Sequence, residues 1–228
     1  MTRENTSKNP LVENSVYHIL SRSIAKYQIF NTDDDYIRMV QLFRFYQVSK
    51  PLTKYSMFFR LKGTQEFGFD QNFNFLHKEH EKLVDIIAYC LMPNHIHLVL
   101  KQLKENGISI FMANILNSYT RYFNICHKRK GPLWESKFKN ILVENDKQLL
   151  HLTRYIHTNP YAARLVSKPE LWKYSSYMEY IKPDQIILAL CDKSLVDIGP
   201  VNYQRFINDR KDYQRKLSEI KNLIIKDL

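Results

Sequence analysis

Apolar and polar positions along the chain switch between a period of two and a period near 3.6, and the switches mark out its elements. Residues 16–21 (VYHILS) alternate and predict a first strand. The run 31–35 (NTDDD) joins a capping side chain to acids suited to a first turn. It predicts a helix running on through Tyr46, with Tyr36, Ile37, Val40, Phe43 and Phe45 near helical spacing. Residues 83–91 (LVDIIAYCL) and 97–100 are strongly apolar, and Met92-Pro93-Asn94 between them is a turn signal, so the pair predicts a hairpin of buried central strands. A helix is predicted over 108–127, closed by the basic turn 128–132 (KRKGP). A short strand over 138–143 follows, then a helix over 146–158 stopped by Asn159-Pro160. Residues 51–81 fit neither period and read as a loop or short helical insertion. Beyond Pro183 the pattern weakens, and 204–226 reads as a charged C-terminal helix or helical pair. The order strand, helix, strand, strand, helix, strand, helix favours an α+β fold. Its sheet is expected to be mainly antiparallel, with helices on one face.

Composition adds a partner to this outline. The 228 residues suit one compact domain with appendages, or at most two small domains, and 44% hydrophobic content is enough for a core. A net charge of +11 and a pI of about 9.4 favour a polyanionic partner, of which nucleic acid is the usual one. An anionic membrane surface would also attract such a chain. However, neither end carries a strongly amphipathic basic helix, and no apolar run reaches membrane-spanning length. The polar stretch 1–9 has no signal-peptide core. A cytoplasmic protein without a membrane partner is therefore expected. Cys90, Cys126 and Cys191 are far apart, odd in number and form no C-x-x-C pair, which argues against a disulfide framework or a zinc knuckle. Fifteen Tyr and thirteen Phe, interleaved with Lys and Arg, suit unpaired bases that stack, although most such rings belong in a core.

The sharpest local feature is His95-Ile96-His97. On a strand both imidazoles project from one face with Ile96 behind them, which makes half of a metal site, or two polar residues on a solvated face. Other H-x-H chemistries do not fit. A histidine-triad hydrolase needs His at 99, where Val stands, and a metallo-β-lactamase pattern needs an Asp and a His where Leu98 and Val99 follow. No zincin helix is present. A third ligand must come from elsewhere. Tyr155 and Asn159 lie four apart on a predicted helix and so share a face. The amide oxygen suits magnesium or manganese, and the phenol can act as a nucleophile on phosphorus. Read alone, Asn159 is also an ordinary residue before a proline, and Tyr155 one more core ring.

The stretch 89–100 (YCLMPNHIHLVL) resembles the signature of the single-tyrosine HUH transposases, closest to the REP-associated tyrosine transposase branch. Four further segments match in order: 17–23 (YHILSRS), 117–124 (NSYTRYFN), 131–139 (GPLWESKFK) and 154–160 (RYIHTNP), and the trailing 172–177 (WKYSSY) also fits. The resemblance covers about residues 16–180. Ser23 stands where the branch usually has Gly, 51–81 is longer than in compact members, and nothing past Pro183 matches.

The resemblance implies a ferredoxin-like antiparallel sheet, the HUH endonuclease fold, over a catalytic domain 1–182 with 51–81 inserted, followed by a C-terminal helical extension 183–228. It implies one divalent metal, Mg2+ or Mn2+, held by His95, His97 and Asn159. Tyr155 would attack the scissile phosphate, leaving a 5′-phosphotyrosine and a free 3′-hydroxyl. The expected substrate is single-stranded DNA bearing a hairpin, and the expected state a monomer or homodimer, with cis and trans placements of the tyrosine helix both open. Arg121, Lys128, Arg129, Lys130, Lys137 and Lys139 are expected to neutralise phosphates. Arg22 is a candidate for phosphate contact and Trp134 for base stacking, while His157, on the other helix face, is expected to be structural. Two other readings fit the same residues: a catalytically silent nucleic-acid-binding module, and a metal phosphodiesterase using water.

Overall fold

The computed structural model describes residues 10–135, 137–186, 189–196 and 198–209. Four strands form one antiparallel sheet: β1 (Val16–Arg22), β2 (Val84–Met92), β3 (His95–Gln102) and β4 (Lys139–Val143). Their order is β2-β3-β1-β4, and every pairing is antiparallel. The long helices are α1 (Asp33–Tyr46), α5 (Gly107–Cys126) and α6 (Asp146–Ala162). The insertion after α1 folds into three short helices, α2 (Tyr55–Phe58), α3 (Lys62–Phe67) and α4 (Phe69–His77). The described residues end with α7 (Tyr177–Ile181) and α8 (Pro200–Asn208). The rest of the helix expected over 204–226 lies outside the described residues.

Strand periodicity separates two cores. Tyr17, Ile19, Ile96, Leu98 and Leu100 point to one face and meet α1 and α5 through Phe43, Phe111, Ile115 and Tyr119. Val99, Ala88, Cys90 and Met92 point to the other and meet Leu149 and Ile156 of α6, with Tyr177, Tyr203 and Ile207 behind them. A bulge between Ile86 and Ala88 resets the alternation of β2, so Ile86 and Tyr89 face α5 while Ala88 and Cys90 face α6. The expectation of an α+β antiparallel sheet holds, but helices cover both faces rather than one. The reason is that Ile87, Ala88, Cys90 and Val99 make the second face of the central strands as apolar as the first.

Two ends are set by local chemistry. Thr32 caps α1, accepting from the Asp35 backbone N–H while the Asp35 carboxylate accepts from Thr32 N–H, a reciprocal capping box. At the start of α5 the chain passes so close to β2 that a Cβ on Gly107 would lie 2.3 Å from the Leu83 carbonyl oxygen. That oxygen is backbone and already accepts from Leu103 N–H, so it cannot move aside freely. Gly107→Ala is therefore expected to cost about 1–3 kcal/mol, the range for overpacked sites. A denaturant midpoint equal to that of the parent chain would refute this.

The helix expected to stop at Asn159-Pro160 continues to Ala162, with Pro160 inside it. Proline disfavours but does not forbid a helical residue before it, and its ring removes one backbone donor. The turn survives because the Asn159 carbonyl accepts from Ala163 N–H and the Pro160 carbonyl from Leu165 N–H. Asn159 thus stays in helical register with Tyr155, one turn above it.

Candidate active site

The second face of the sheet carries a short ladder of polar residues. Strand pairing sets them in rows: Arg22 opposite His95, Leu20 opposite both His97 and Lys139, and His18 opposite Val99 and Ile141. Paired residues share a face, so Arg22, His95, His97, His18 and Lys139 all project toward the side that α6 covers. His95 and His97 ring centroids are 4.9 Å apart, nearly perpendicular.

Helix α6 brings the second pair. The Tyr155 ring meets His97 edge-on at 5.7 Å, and the Asn159 amide nitrogen lies 3.0 Å from His97 Nε2. The same amide hydrogen-bonds the Tyr155 hydroxyl. All four residues expected to act together, His95, His97, Tyr155 and Asn159, therefore gather in one place, and within one chain. Tyr155 keeps 44% of its surface exposed, whereas His97 keeps 3%. The nucleophile candidate faces solvent and the imidazole beneath it does not.

A third imidazole completes the cluster. His18 Nε2 is 3.0 Å from His97 Nδ1, and the two rings stack at 5.3 Å. Its ring is also 6.4 Å from that of Tyr155. His18 was not among the site residues expected from sequence. Its signal was present, a lone histidine in the alternating run VYHILS, but such a residue is usually an incidental one. Its partner is 79 positions away.

Burial sets the protonation of the cluster. It lowers His18 and His95 to about 4, and holds His97 well below the usual histidine value, with the neighbouring rings and the Arg22 charge adding to the effect. All three are neutral at pH 7, and each keeps one unprotonated ring nitrogen. The Asn94 carboxamide oxygen, 2.6 Å from His95 Nδ1, accepts that nitrogen's proton and leaves Nε2 of His95 as the base. Burial raises the Tyr155 hydroxyl above 10, partly offset by the Arg22 charge and the Asn159 hydrogen bond. Among the described residues no three His, Cys, Asp or Glu side chains converge as metal ligands. A third donor beside His95 and His97 must be of another type, and the Asn159 amide adjoins His97. Its nitrogen donates to Nε2, and a half-turn about the side chain presents the oxygen instead.

The seven cations expected to contact DNA divide into three groups. Arg22 and Lys139 stand on the face just described. Lys128, Arg129 and Lys130 form the turn after α5, whose following segment pairs with the end of β1 through Ile24 N–H to the Leu133 carbonyl and Glu135 N–H to the Arg22 carbonyl. Arg129 is partly committed, donating to the Asn124 amide oxygen and the Pro132 carbonyl. Arg121 and Lys137 belong to the opposite layer, around α5. Proximity in sequence to the basic turn did not place them near Tyr155, because the sheet intervenes. Trp134 is corrected to a core residue: it is 9% exposed and its indole N–H bonds the Leu116 carbonyl and the Thr120 hydroxyl, so it presents no free ring to a base. His157 is fully buried between the Tyr203 hydroxyl at 2.7 Å and the Ser176 hydroxyl at 2.8 Å, and fastens α6 to α8. Among the described residues no helix is long and apolar enough to cross a membrane.

Comparison with known proteins gives this cluster a setting. Residues 69–159 match the family described as transposase IS200 like, a span that holds both histidines, Tyr155 and Asn159. A Haemophilus influenzae protein provisionally described as a REP-associated tyrosine transposase is 30% identical over 111 residues, covering 44% of this chain and 62% of that relative's length. A solved REP-associated tyrosine transposase bound to a REP hairpin superposes with a TM-score of 0.51 over 87% of this chain and 97% of its own, at 14% identity. That likeness is one of fold. The resemblance read from the sequence is borne out by the family match and by the Haemophilus influenzae relative, and the expected fold by the solved structure.

Proposed function

For a chain whose central segment matches the IS200-like transposases, we propose that it cuts and rejoins hairpin-bearing single-stranded DNA through a covalent link to Tyr155. The observation that carries the reading is the convergence of Tyr155 and Asn159 on His97 within one chain. A half-exposed phenol beside a neutral, lone-pair-bearing imidazole and a rotatable amide is a nucleophile next to a hard-metal donor set.

His95, His97 and Asn159 would hold one Mg2+ or Mn2+. When bound, it would polarise the scissile phosphate and stabilise the charge that grows there. The chain's own residues do the remainder. Tyr155 Oη forms a bond to phosphorus while the bond from phosphorus to the 3′ oxygen breaks. The phenol proton leaves, and the 3′ oxygen gains a proton to become a hydroxyl. The Asn159 amide, donating to Oη, stabilises the phenolate that develops, and the Arg22 charge acts in the same sense. Rejoining reverses the sequence with the bond energy retained in the phosphotyrosine.

His18 has a part in this arrangement. By accepting the Nδ1 proton of His97 it fixes the tautomer in which Nε2 faces Asn159. His18→Ala is expected to weaken Mn2+ binding about 10-fold or more, the range for outer partners of metal-binding histidines. His18→Gln, which restores an acceptor, should recover part of it. Calorimetric titration of Mn2+ into the three proteins reads this out, and equal affinities would remove His18 from the account.

The test of the function is incubation with a hairpin-bearing single strand and Mn2+, followed by denaturing electrophoresis. A protein–DNA adduct with release of a 3′-hydroxyl fragment is expected, and chelation should abolish it. Tight binding with no cleavage would instead describe a silent DNA-binding module. Cleavage with no adduct would describe a phosphodiesterase that uses water.

A further inference from the structure

On the layer opposite Tyr155, α1, the insertion and α5 enclose an open cavity of about 500 Å3. That falls inside the roughly 300–1,000 Å3 of ordinary ligand sites. Its lining includes Arg38, Lys54 and Arg121, and no Asp or Glu. Among the described residues none of these three cations is in an ion pair.

Arg38 is the fixed point. Its guanidinium carbon lies 5.0 Å from the Tyr55 ring centroid and 4.2 Å from that of Tyr122. Both rings are tethered, Tyr55 by donating to Gln41 Oε1 and Tyr122 by donating to Asp35 Oδ1. The Asp35 carboxylate that holds Tyr122 is committed to that hydroxyl and to the backbone N–H groups of Asn31 and Thr32. Arg38 is thus held in orientation, and its buried Nε donor has no hydrogen-bond partner. A planar, preorganised donor set without an anion is what a phosphate requires. Asn117 and Arg121, four apart on one face of α5, add an amide for a base edge and a second cation. The concave form and the tyrosine rings suit an unpaired nucleotide better than a duplex.

The path to the cavity is also charged. From Arg121, α5 runs on to Cys126 and into the turn Lys128-Arg129-Lys130, whose following segment pairs with the end of β1 beside His95. At about 1.5 Å per residue, Arg121 lies about 7.5 Å along the axis from Cys126, where α5 gives way to that turn.

We propose that the α1–α2–α5 cavity is a second DNA subsite, taking a phosphate and an unpaired base of the single strand that continues from the hairpin cut at Tyr155. The strand turns around the basic end of α5 to reach it, so the insertion that lengthens this chain serves substrate selection. This rests on the function proposed above and adds where the rest of the substrate lies.

The test compares binding of a bare hairpin with one carrying a single-stranded tail of about ten nucleotides, on either side in turn, by fluorescence anisotropy across a salt series. The wild type should prefer one tailed form. Lys54→Gln/Arg121→Gln, at two exposed positions outside the core, should lose about tenfold on that form and nothing on the bare hairpin. The slope of log affinity against log salt should fall by about 1.4, at about 0.7 per single-strand phosphate. Arg38→Gln should act in the same direction, with circular dichroism confirming its fold. At saturating DNA, adduct formation on the tailed hairpin should be unchanged in the double variant, which reports on the cleavage reading separately. A double variant that keeps the tail preference and the salt slope would overturn the subsite. So would a wild type that binds both forms equally, or one that binds a free mononucleotide there while ignoring the tail.

Discussion

Replacing Tyr155 by Phe is expected to abolish the covalent adduct, by at least about a thousandfold, while hairpin affinity stays within a few-fold of the parent. The substitution removes one oxygen and keeps the ring that packs at 5.7 Å from His97 and 6.4 Å from His18. Little stability is at stake, because the ring is 44% exposed and the hydroxyl's hydrogen bond to Asn159 is replaceable by water. The loss must therefore fall on chemistry. A phenylalanine cannot form a bond to phosphorus, and no other hydroxyl on the same turn can stand in: Thr158 is buried and its hydroxyl is turned back on the Arg154 carbonyl. Because Tyr155 and Asn159 reach His97 from their own chain, mixing Tyr155→Phe with His97→Ala protein should not restore adduct formation. Restoration on mixing would mean that the helix works in trans, and an undiminished adduct in the single variant would remove Tyr155 as the nucleophile.

The parts of this site that could be read in the sequence are those with short, periodic spacing. His95 and His97 share a face because a strand repeats every two residues, and Tyr155 and Asn159 because a helix repeats nearly every four. Their convergence was implied by family resemblance and could not come from spacing, since 62 positions separate His97 from Asn159. The same limit hid His18, whose role depends on the β1–β3 register and not on its neighbours. It also misled the assignment of cations. Arg121 and Lys137 flank the basic turn in sequence, yet a sheet stands between them and Tyr155. Trp134 shows the opposite failure: an aromatic among basic residues looks like a stacking platform until its indole N–H is seen bonded inside the core. Pro160 argued for a helix end, and tertiary packing overrode it, with Ile156 and Tyr161 both buried against the rest of the fold.

Acid should unfold this protein near pH 5, well above the range in which carboxylates alone would do so. His18 and His95 are lowered to about 4 and His157 to about 3, all by burial, and His97 lies well below its ordinary value for the same reason. Above pH 6.5 these rings are neutral in the folded and the unfolded chain alike, and they contribute nothing. Below 6.5 the unfolded chain takes up a proton on each, and the folded chain does so only at lower pH, toward 4 for His18 and His95. Stability therefore rises with pH across this window and is lost on the way down. At about 1.4 kcal/mol each, an uptake of three to four protons sets a slope of about 4–5.5 kcal/mol per pH unit. A domain of ordinary stability, about 5–15 kcal/mol, cannot absorb much more than one to two units of that. His157 matters most for the consequence, because it is fully buried between Tyr203 and Ser176, so its protonation releases α8 from α6 and with it the helix that carries Tyr155. Denaturant unfolding at half-unit steps between pH 7 and pH 4.5 should yield an uptake of about three to four protons on unfolding. His18→Gln, which removes one titrating ring, should lower that uptake by about one. An uptake below one proton in the parent chain would mean that the imidazoles are not held neutral, and the donor set argued for Tyr155's surroundings would go with them.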